Sequence, residues 1–462
     1  MRCPLKGTFF DKRMTDVIVA TSFSEVSVMK RLLTMLILCA ASIISFGEAP
    51  AAEPLIREGE VLTLERCLEI AVKNQPAIMQ YLYTSQANEA QLGQAKSGYY
   101  PQLDAYSSFT SYNAVKQTGD PYPPINAAYG YKYGDNTLTI TQKIYDFGKR
   151  EDNVDVARLN LDSSRKDVEN QITTVVNNVK NAYYLVLKSK YSRDVYIDVR
   201  DQYRKQLEQA KLFFEAGKKP KYDVTNVEVY LSNADLKLIE GENELSKSWV
   251  SLNTAMGYDG AASYTVKEIK ALESYKITEQ DAVERANKSR QDLQSLLVQK
   301  ASAEKSVSLA KKDYFPSFDA NAGYEFAGSQ TPVAQGWTAG VSLSWNLFQG
   351  FSTQQAVQKA LANMRVTEAK IANLKLQILQ EVKTALLNLK KAEESIANAK
   401  VQVRQATENM ELADLRYQMG LGTTLEVTIA TVNYSQAKQT HITSLYDYVT
   451  AKANLEKAMG AR

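Results

Sequence analysis

The chain has 462 residues and carries 55 Lys and Arg against 52 Asp and Glu, with one histidine. Near-neutral charge with both signs interspersed excludes the one-sided basic footprint of a nucleic-acid binder, so no nucleic-acid partner is expected. A single histidine, His441, argues strongly against a histidine-based metal centre or a serine–histidine triad.

Residues 1–51 read as an export signal. Lys30-Arg31 precedes an apolar run from Leu32 to Phe46, then the small residues Ala49-Pro50-Ala51-Ala52. The run is too short to span a bilayer. Met29 reads as the true start, with cleavage near Ala51. Leu38 stands where a lipidation box needs a small residue, so Cys39 is not expected to carry lipid. Cys67 is then the one mature thiol; no intramolecular disulfide can form, and the thiol is expected to be packed.

The first repeat is placed at 52–257. Leu64 opens a helical pattern to about Gly98, interrupted by Pro76. Tyr99-Tyr100-Pro101 ends it, because a residue before proline is pushed out of the α region. A membrane hairpin is expected over 102–145. Its first strand runs from Gln102 to Tyr112. A loop with Gly119, Pro121, Pro123, Pro124, Gly130 and Gly134 follows. In the second strand Leu138, Ile140, Gln142 and Ile144 alternate with Thr137, Thr139, Thr141 and Lys143. From Gly148 to Gly217 there is no proline and no internal glycine, and apolar residues recur every three or four positions from Val154 through Tyr183 to Phe214. That predicts one amphipathic helix of about 70 residues, about 100 Å long. Such a rod needs partners of similar length. A turn at Gly217-Lys218-Lys219-Pro220 leads to a returning helix from about Asp223 to Met256.

A linker at 258–277 precedes the second repeat, 278–462. A helical pattern runs from Thr278 to Tyr314. Tyr314-Phe315-Pro316 echoes Tyr99-Tyr100-Pro101, Tyr417-Gln418-Met419-Gly420 echoes Phe214-Glu215-Ala216-Gly217, and Leu455 to Gly460 echoes Leu252 to Gly257. The second hairpin is expected at 317–347. Phe318, Ala320, Ala322, Tyr324 and Phe326 share one face, as do Trp337, Ala339, Val341, Leu343, Trp345 and Leu347; small and polar residues take the other. An apolar face against a polar one is what a transmembrane β-barrel strand requires. Two soluble hairpins, each packed on a core, are the alternative. Four strands cannot close a barrel, since about eight are the smallest usual closure, so several chains must contribute.

With this duplicated order, the Tyr-Tyr-Pro and Tyr-Phe-Pro strand entries, the exits at Gly148 and Gly350, and the tip Arg416-Tyr417-Gln418-Met419-Gly420-Leu421-Gly422-Thr423, the mature chain resembles the TolC-like outer-membrane efflux proteins. The resemblance implies a mixed fold: a membrane β-barrel continued by a long α-helical barrel in the periplasm. A homotrimer giving four strands per chain would make twelve, with the linker in a belt around the helices. It implies an exit duct in the outer membrane of a Gram-negative bacterium, serving a tripartite efflux or type I secretion system. The partners would be outer-membrane lipid, a periplasmic adaptor and an inner-membrane pump of the RND, ABC or a similar class. No cofactor and no catalysis are implied.

The resemblance also places a periplasmic gate at Asp223, Asn226, Tyr417 and Glu426. Gly422 stands where some members carry a basic residue, and Ile429 where some carry a second acid, so the links around the gate would be thinner here. Read without the family, Asp223 is the N-cap of the returning helix and Glu426 a first-turn acid. The tips Gly217, Lys218, Lys219 and Pro220, with Gly420, Leu421, Gly422 and Thr423, would meet the adaptor. Tyr99, Tyr100, Tyr145, Tyr314, Phe315, Trp337 and Trp345 would form an aromatic girdle at the membrane. A trimeric, membrane-anchored structural or adhesive coiled coil is the alternative from another functional class.

Overall fold

The computed structural model of the chain describes residues 55–112, 131–260, 262–268, 275–328 and 334–461. The expected export signal, residues 1–51, and most of the first inter-strand loop lie outside them. Residues 57–462 form one compact unit, which holds both repeats.

Its first repeat comprises β1 (Val61–Leu62), α1 (Leu64–Asn74), α2 (Pro76–Ser97), β2 (Gln102–Tyr112), β3 (Tyr131–Tyr145), α3 (Lys149–Glu215) and α4 (Lys221–Met256). After β4 (Thr265–Val266), the second comprises α5 (Glu279–Ser289), α6 (Gln291–Lys311), a 3₁₀ turn (Lys312–Tyr314), β5 (Ser317–Gly328), β6 (Ala334–Ser344), α7 (Ser352–Gln418) and α8 (Thr424–Ala458). The two long helices match in length, 67 residues each.

The strands form one antiparallel sheet in the order β2-β3-β5-β6. Its register sets Leu103 opposite Ile140, Ile140 opposite Ala322 and Ala322 opposite Ala339, while Thr139 faces Gly323 and Gly323 faces Thr338. The alternation in each strand therefore adds up across all four: one face is apolar, the other polar and crossed by a Lys143–Asp319 ion pair at 3.2 Å. Leu103, Phe109, Ile140, Trp337, Val341 and Leu343 on the apolar face are all exposed. Among the described residues no core covers them, which argues against the soluble-hairpin alternative.

The helices lie side by side and follow the strand order. Next to the sheet the sequence of neighbours is α2-α3-α6-α7, and towards the tips it is α4-α3-α8-α7. Between α3 and α7, α6 and α8 therefore meet end to end. Flanked on both sides, α3 buries twenty residues, including Val154, Leu161, Val175, Val179, Tyr183 and Tyr203. At an edge, α7 buries eight over the same length.

Pro76 restarts the first helical pattern, as expected. The second pattern was expected unbroken from Thr278 to Tyr314, but it breaks at Arg290 with no proline present. Arg290 (φ −67°, ψ 120°) and Gln75 (φ −67°, ψ 116°) adopt one geometry at matching places in the two repeats. Tertiary hydrogen bonds hold the break. Arg290 pairs with Asp292 and with Glu381 on α7, and donates to the Ala458 carbonyl at 3.4 Å; Gln75 donates to the Thr254 and Ala255 carbonyls at 3.0 Å. Each returning helix ends against the break of its own repeat, on a left-handed glycine. A Cβ on Gly257 would lie 2.9 Å from Gln75 Cα, and one on Gly460 would lie 2.8 Å from Arg290 N.

The junction of sheet and helices carries charged side chains that the sequence reading passed over. A register shift falls between Lys143 and Tyr145. Arg150 reaches into it, donating to the carbonyls of Lys143 at 2.8 Å, Ile144 at 3.0 Å and Gly98 at 3.2 Å, with its guanidinium over the Tyr99 ring. The buried Asp146 carboxylate accepts from Arg150 N and Nε. One turn into α3, Asp152 is buried beside Lys312 at 2.6 Å and Lys305 at 3.6 Å. Burial pushes the Asp152 carboxyl up, but hydrogen bonds from Lys312 and Ser308 and the two lysine charges hold it below its ordinary value.

A left-handed backbone costs an L-residue about 1–2 kcal/mol. Gly217→Ala should lower stability by about that, since nothing lies within 4 Å of its Cβ position. Gly257→Ala and Gly460→Ala add a backbone clash and should cost more. Apparent thermal midpoints of the detergent-solubilised variants check this, and equal shifts for all three would contradict it.

Candidate functional site

Two regions can carry function: the sheet's apolar face and the paired tips where α3 turns into α4 and α7 into α8.

At the first tip, the amides of Gly217 (φ +69°) and Lys218 close on the carbonyls of Phe214 and Phe213. At the second, those of Gly420 (φ +74°) and Leu421 close on Tyr417 and Arg416. Both are Schellman ends, in which a left-handed glycine satisfies carbonyls the helix leaves open. The entries into the returning helices differ. Thr423 caps α8, its side chain accepting from Glu426 N at 3.3 Å. Pro220, already extended, is the N-cap of α4. Asp223 is therefore not the cap that the bare sequence suggested; it lies in the first turn, matching Glu426 in the other repeat. Proline fixes the chain so that the helix starts directly after it, two residues earlier than expected.

Tyr417 is 1% exposed and lies between the tips. Its ring meets Phe213 edge-on at 5.5 Å, and Lys219 Nζ stands 5.7 Å from its centroid. Lys219 Nζ also donates to the Gly422 carbonyl at 3.2 Å. Thr424 Oγ1 donates to the Tyr417 hydroxyl at 3.4 Å. Burial first, then the Asp223 charge, push the phenol above its ordinary pKa against that hydrogen bond. Glu426 pairs with Arg416 at 3.7 Å on the exposed side. Asp223 and Asn226 are half-buried, and Lys218, Leu421 and Thr423 are exposed. The structure thus gathers Asp223, Tyr417, Lys219 and Gly422 and sets Glu426 apart on Arg416.

The seven aromatic residues divide into two levels. Tyr99, Tyr100, Tyr145, Tyr314, Phe315 and Trp345 are exposed where strands meet helices. Trp345 Nε1 donates to the Tyr314 carbonyl at 3.0 Å, and Phe315 stacks on Phe147. Trp337 stands opposite Tyr324 towards the far end of β6, about 27 Å along the strand from Trp345. Two aromatic levels bounding an apolar band are the pattern of an outer-membrane strand.

Among the described residues no three of His, Cys, Asp or Glu gather as a metal ion would need. Cys67 is buried, and burial pushes its thiol up to about 12.

The sequence model of the family described as Outer membrane efflux protein matches residues 67–258 and 282–461. The chain belongs to that family. This efflux protein is 22% identical to Protein CyaE of Bordetella pertussis over 411 residues, 87% of this chain and 84% of that protein. It is 20% identical to outer membrane protein TolC of Vibrio cholerae over 292 residues, 61% of this chain and 66% of TolC. The crystal structure of the Campylobacter jejuni CmeC outer membrane channel matches it with a TM-score of 0.77 at 17% identity, covering 90% of this chain and 93% of that one. The expected mixed fold and the outer-membrane location are both borne out. No helix among the described residues is long and apolar enough to cross a membrane, so the membrane reading rests on the sheet.

Trp337, 76% exposed, should face acyl chains. In a variant carrying Trp249→Phe and Trp345→Phe, brominated lipids should quench most of its fluorescence. A variant keeping only Trp249, which packs on Tyr264, should be unaffected. Equal quenching of both would contradict the assignment of the apolar face.

Proposed function

We propose that three copies of this efflux protein close into one duct. It would conduct substrates passively out of the cell, as the exit of a tripartite efflux or type I secretion system fed by an inner-membrane pump through a periplasmic adaptor. The observation that carries this is the pair of open edges. The sheet ends on β2 and β6, and the helical layer ends on α7 at one side and on α2 and α4 at the other. Exposed apolar residues recur on these edges at multiples of seven: Tyr222, Val229, Leu236 and Val250 on α4, and Val366, Leu387, Val401 and Leu415 on α7. That spacing is a coiled-coil seam awaiting a partner. Different surfaces at the two edges suit a head-to-tail contact, which generates a ring when the rotation closes. Three copies of four strands make twelve, enough to enclose a lumen lined by the polar face.

On this reading residues 1–51 are the export signal, 52–257 and 278–462 the two repeats, and 258–277 part of a belt around the helices. The tips point into the periplasm, where Gly217 to Pro220 and Gly420 to Thr423 meet the adaptor. Asp223, Asn226, Tyr417 and Glu426 form the gate, and rings of its carboxylates in a narrow pore favour cations. The adhesive coiled-coil alternative gives no role to a polar sheet face or to acids at matching places beside both turns.

Single-channel recording in planar bilayers tests the proposal. Wild type should give discrete cation-selective steps. Asp223→Ala with Glu426→Ala should enlarge them or reduce their selectivity. Unchanged steps would remove the gate assignment, and silent bilayers from folded trimers would remove the duct.

A further inference from the structure

We propose that Lys219 is the latch that holds the two tips of one protomer together, acting on the face of Tyr417 and the carbonyl of Gly422. The inference rests on the duct reading above and names the contact that keeps its entrance narrow.

Aligning Gly217 with Gly420 puts Lys219 and Gly422 at the same place in the two repeats. They have diverged in complementary ways. The first tip carries an ammonium there, and the second carries no side chain. A Cβ on Gly422 would lie 3.0 Å from Tyr417 N and 3.2 Å from the Arg416 carbonyl carbon, so the chain is folded tightly back on the end of α7. This leaves the Gly422 carbonyl turned towards the first tip, where Lys219 Nζ meets it at 3.2 Å. The same ammonium stands 5.7 Å from the Tyr417 ring centroid, within reach of a cation–π contact. Phe213, also from the first tip, meets the ring in a T-shaped contact at 5.5 Å. The missing basic residue at 422 therefore does not leave the tips unlinked: a cation reaches the same place from the opposite hairpin.

The geometry also divides the roles within Tyr417. Its hydroxyl engages Thr424 of its own hairpin, whereas its ring meets Lys219 and Phe213 of the other. The hydroxyl is thus dispensable for the cross-link and the ring is not. Glu426 takes no part, being engaged by Arg416 of its own hairpin. Asp223, whose charge reaches the phenol, stands on the same hairpin as Lys219.

The test is single-channel recording of purified full-length trimers without adaptor, in wild type, Lys219→Met, Lys219→Arg, Tyr417→Phe and Tyr417→Leu. Lys219→Met keeps most of the aliphatic stem and removes the charge; it should raise open-state occupancy about fivefold, the scale of one partly exposed cation–π contact. Lys219→Arg and Tyr417→Phe should stay within about twofold of wild type on the same scale. Tyr417→Leu should open the tips without touching Lys219, and adding Lys219→Met to it should bring little more. Wild-type gating in Lys219→Met would overturn the latch and leave the duct intact. An open Tyr417→Phe would overturn it too, by placing the link on the hydroxyl. If Lys219→Met does not assemble, the comparison of Tyr417→Leu with Tyr417→Phe decides the matter alone. Silence from wild type and every variant, all as folded trimers, would remove the duct reading and the latch with it.

Discussion

Among the described residues, the outer backbone groups of β2 and β6 have no strand to pair with, and the sheet's apolar face has no core to cover it. Unpaired strand edges are tolerated in lipid only when a barrel closes, because an unsatisfied amide or carbonyl in hydrocarbon costs several kcal/mol. The same open ends recur in the helical layer, which is continuous with the sheet. α2 leads into β2, β3 into α3, α6 into β5 and β6 into α7, so the order of strands dictates the order of rods next to them. Closing one layer closes the other. The proposed trimeric duct would satisfy both at once, with the exposed seams on α4 and α7 as its seals.

The repeat explains how so long a layer can change partners midway. Between α3 and α7 the neighbour is α6 near the sheet and α8 near the tips. The exchange needs α6 to begin where α8 ends, and the left-handed glycines 257 and 460 permit the required close approach to Gln75 and Arg290. Buried charge is concentrated at such transitions. Arg150 and Asp146 satisfy the register shift where β3 leaves the sheet, and Asp152 with Lys305 and Lys312 ties α3 to α6 and the 3₁₀ turn. Leaving one partner of such a set alone in a buried site costs about 3–5 kcal/mol.

Much of this architecture was legible in the sequence, for physical reasons that differ from element to element. Period-two alternation in Phe318 to Phe326 and Trp337 to Leu343 fixed which faces would join, because a one-residue slip would turn every apolar side chain around. Unbroken three-and-four spacing marked α3, and Pro76 marked a break that needs only local chemistry. The break at Arg290 was not legible, since it is made by Glu381 and Ala458, distant in sequence. Nor were β1 and β4, each two residues long, whose pairing depends on where the rest of the chain brings them. At the candidate site, matching glycines located both tips and the acids beside them. The cap at Pro220 was misjudged because Asp is the commoner cap. The Lys219–Gly422 contact escaped notice because a lysine beside a turn is ordinarily a solvated one, and the contact exists only once the two hairpins lie together.

In the proposed ring the open edges of one chain meet the opposite edges of the next, and three chains complete it. Cysteines placed singly along β2 and along β6 of the same chain, oxidised in outer membranes and separated without reductant, test it most directly. A closed ring of three should give covalent species of two and three chains, ending at three, from pairs at matched height. Cross-links that stay within one chain, or a ladder running past three, would contradict it.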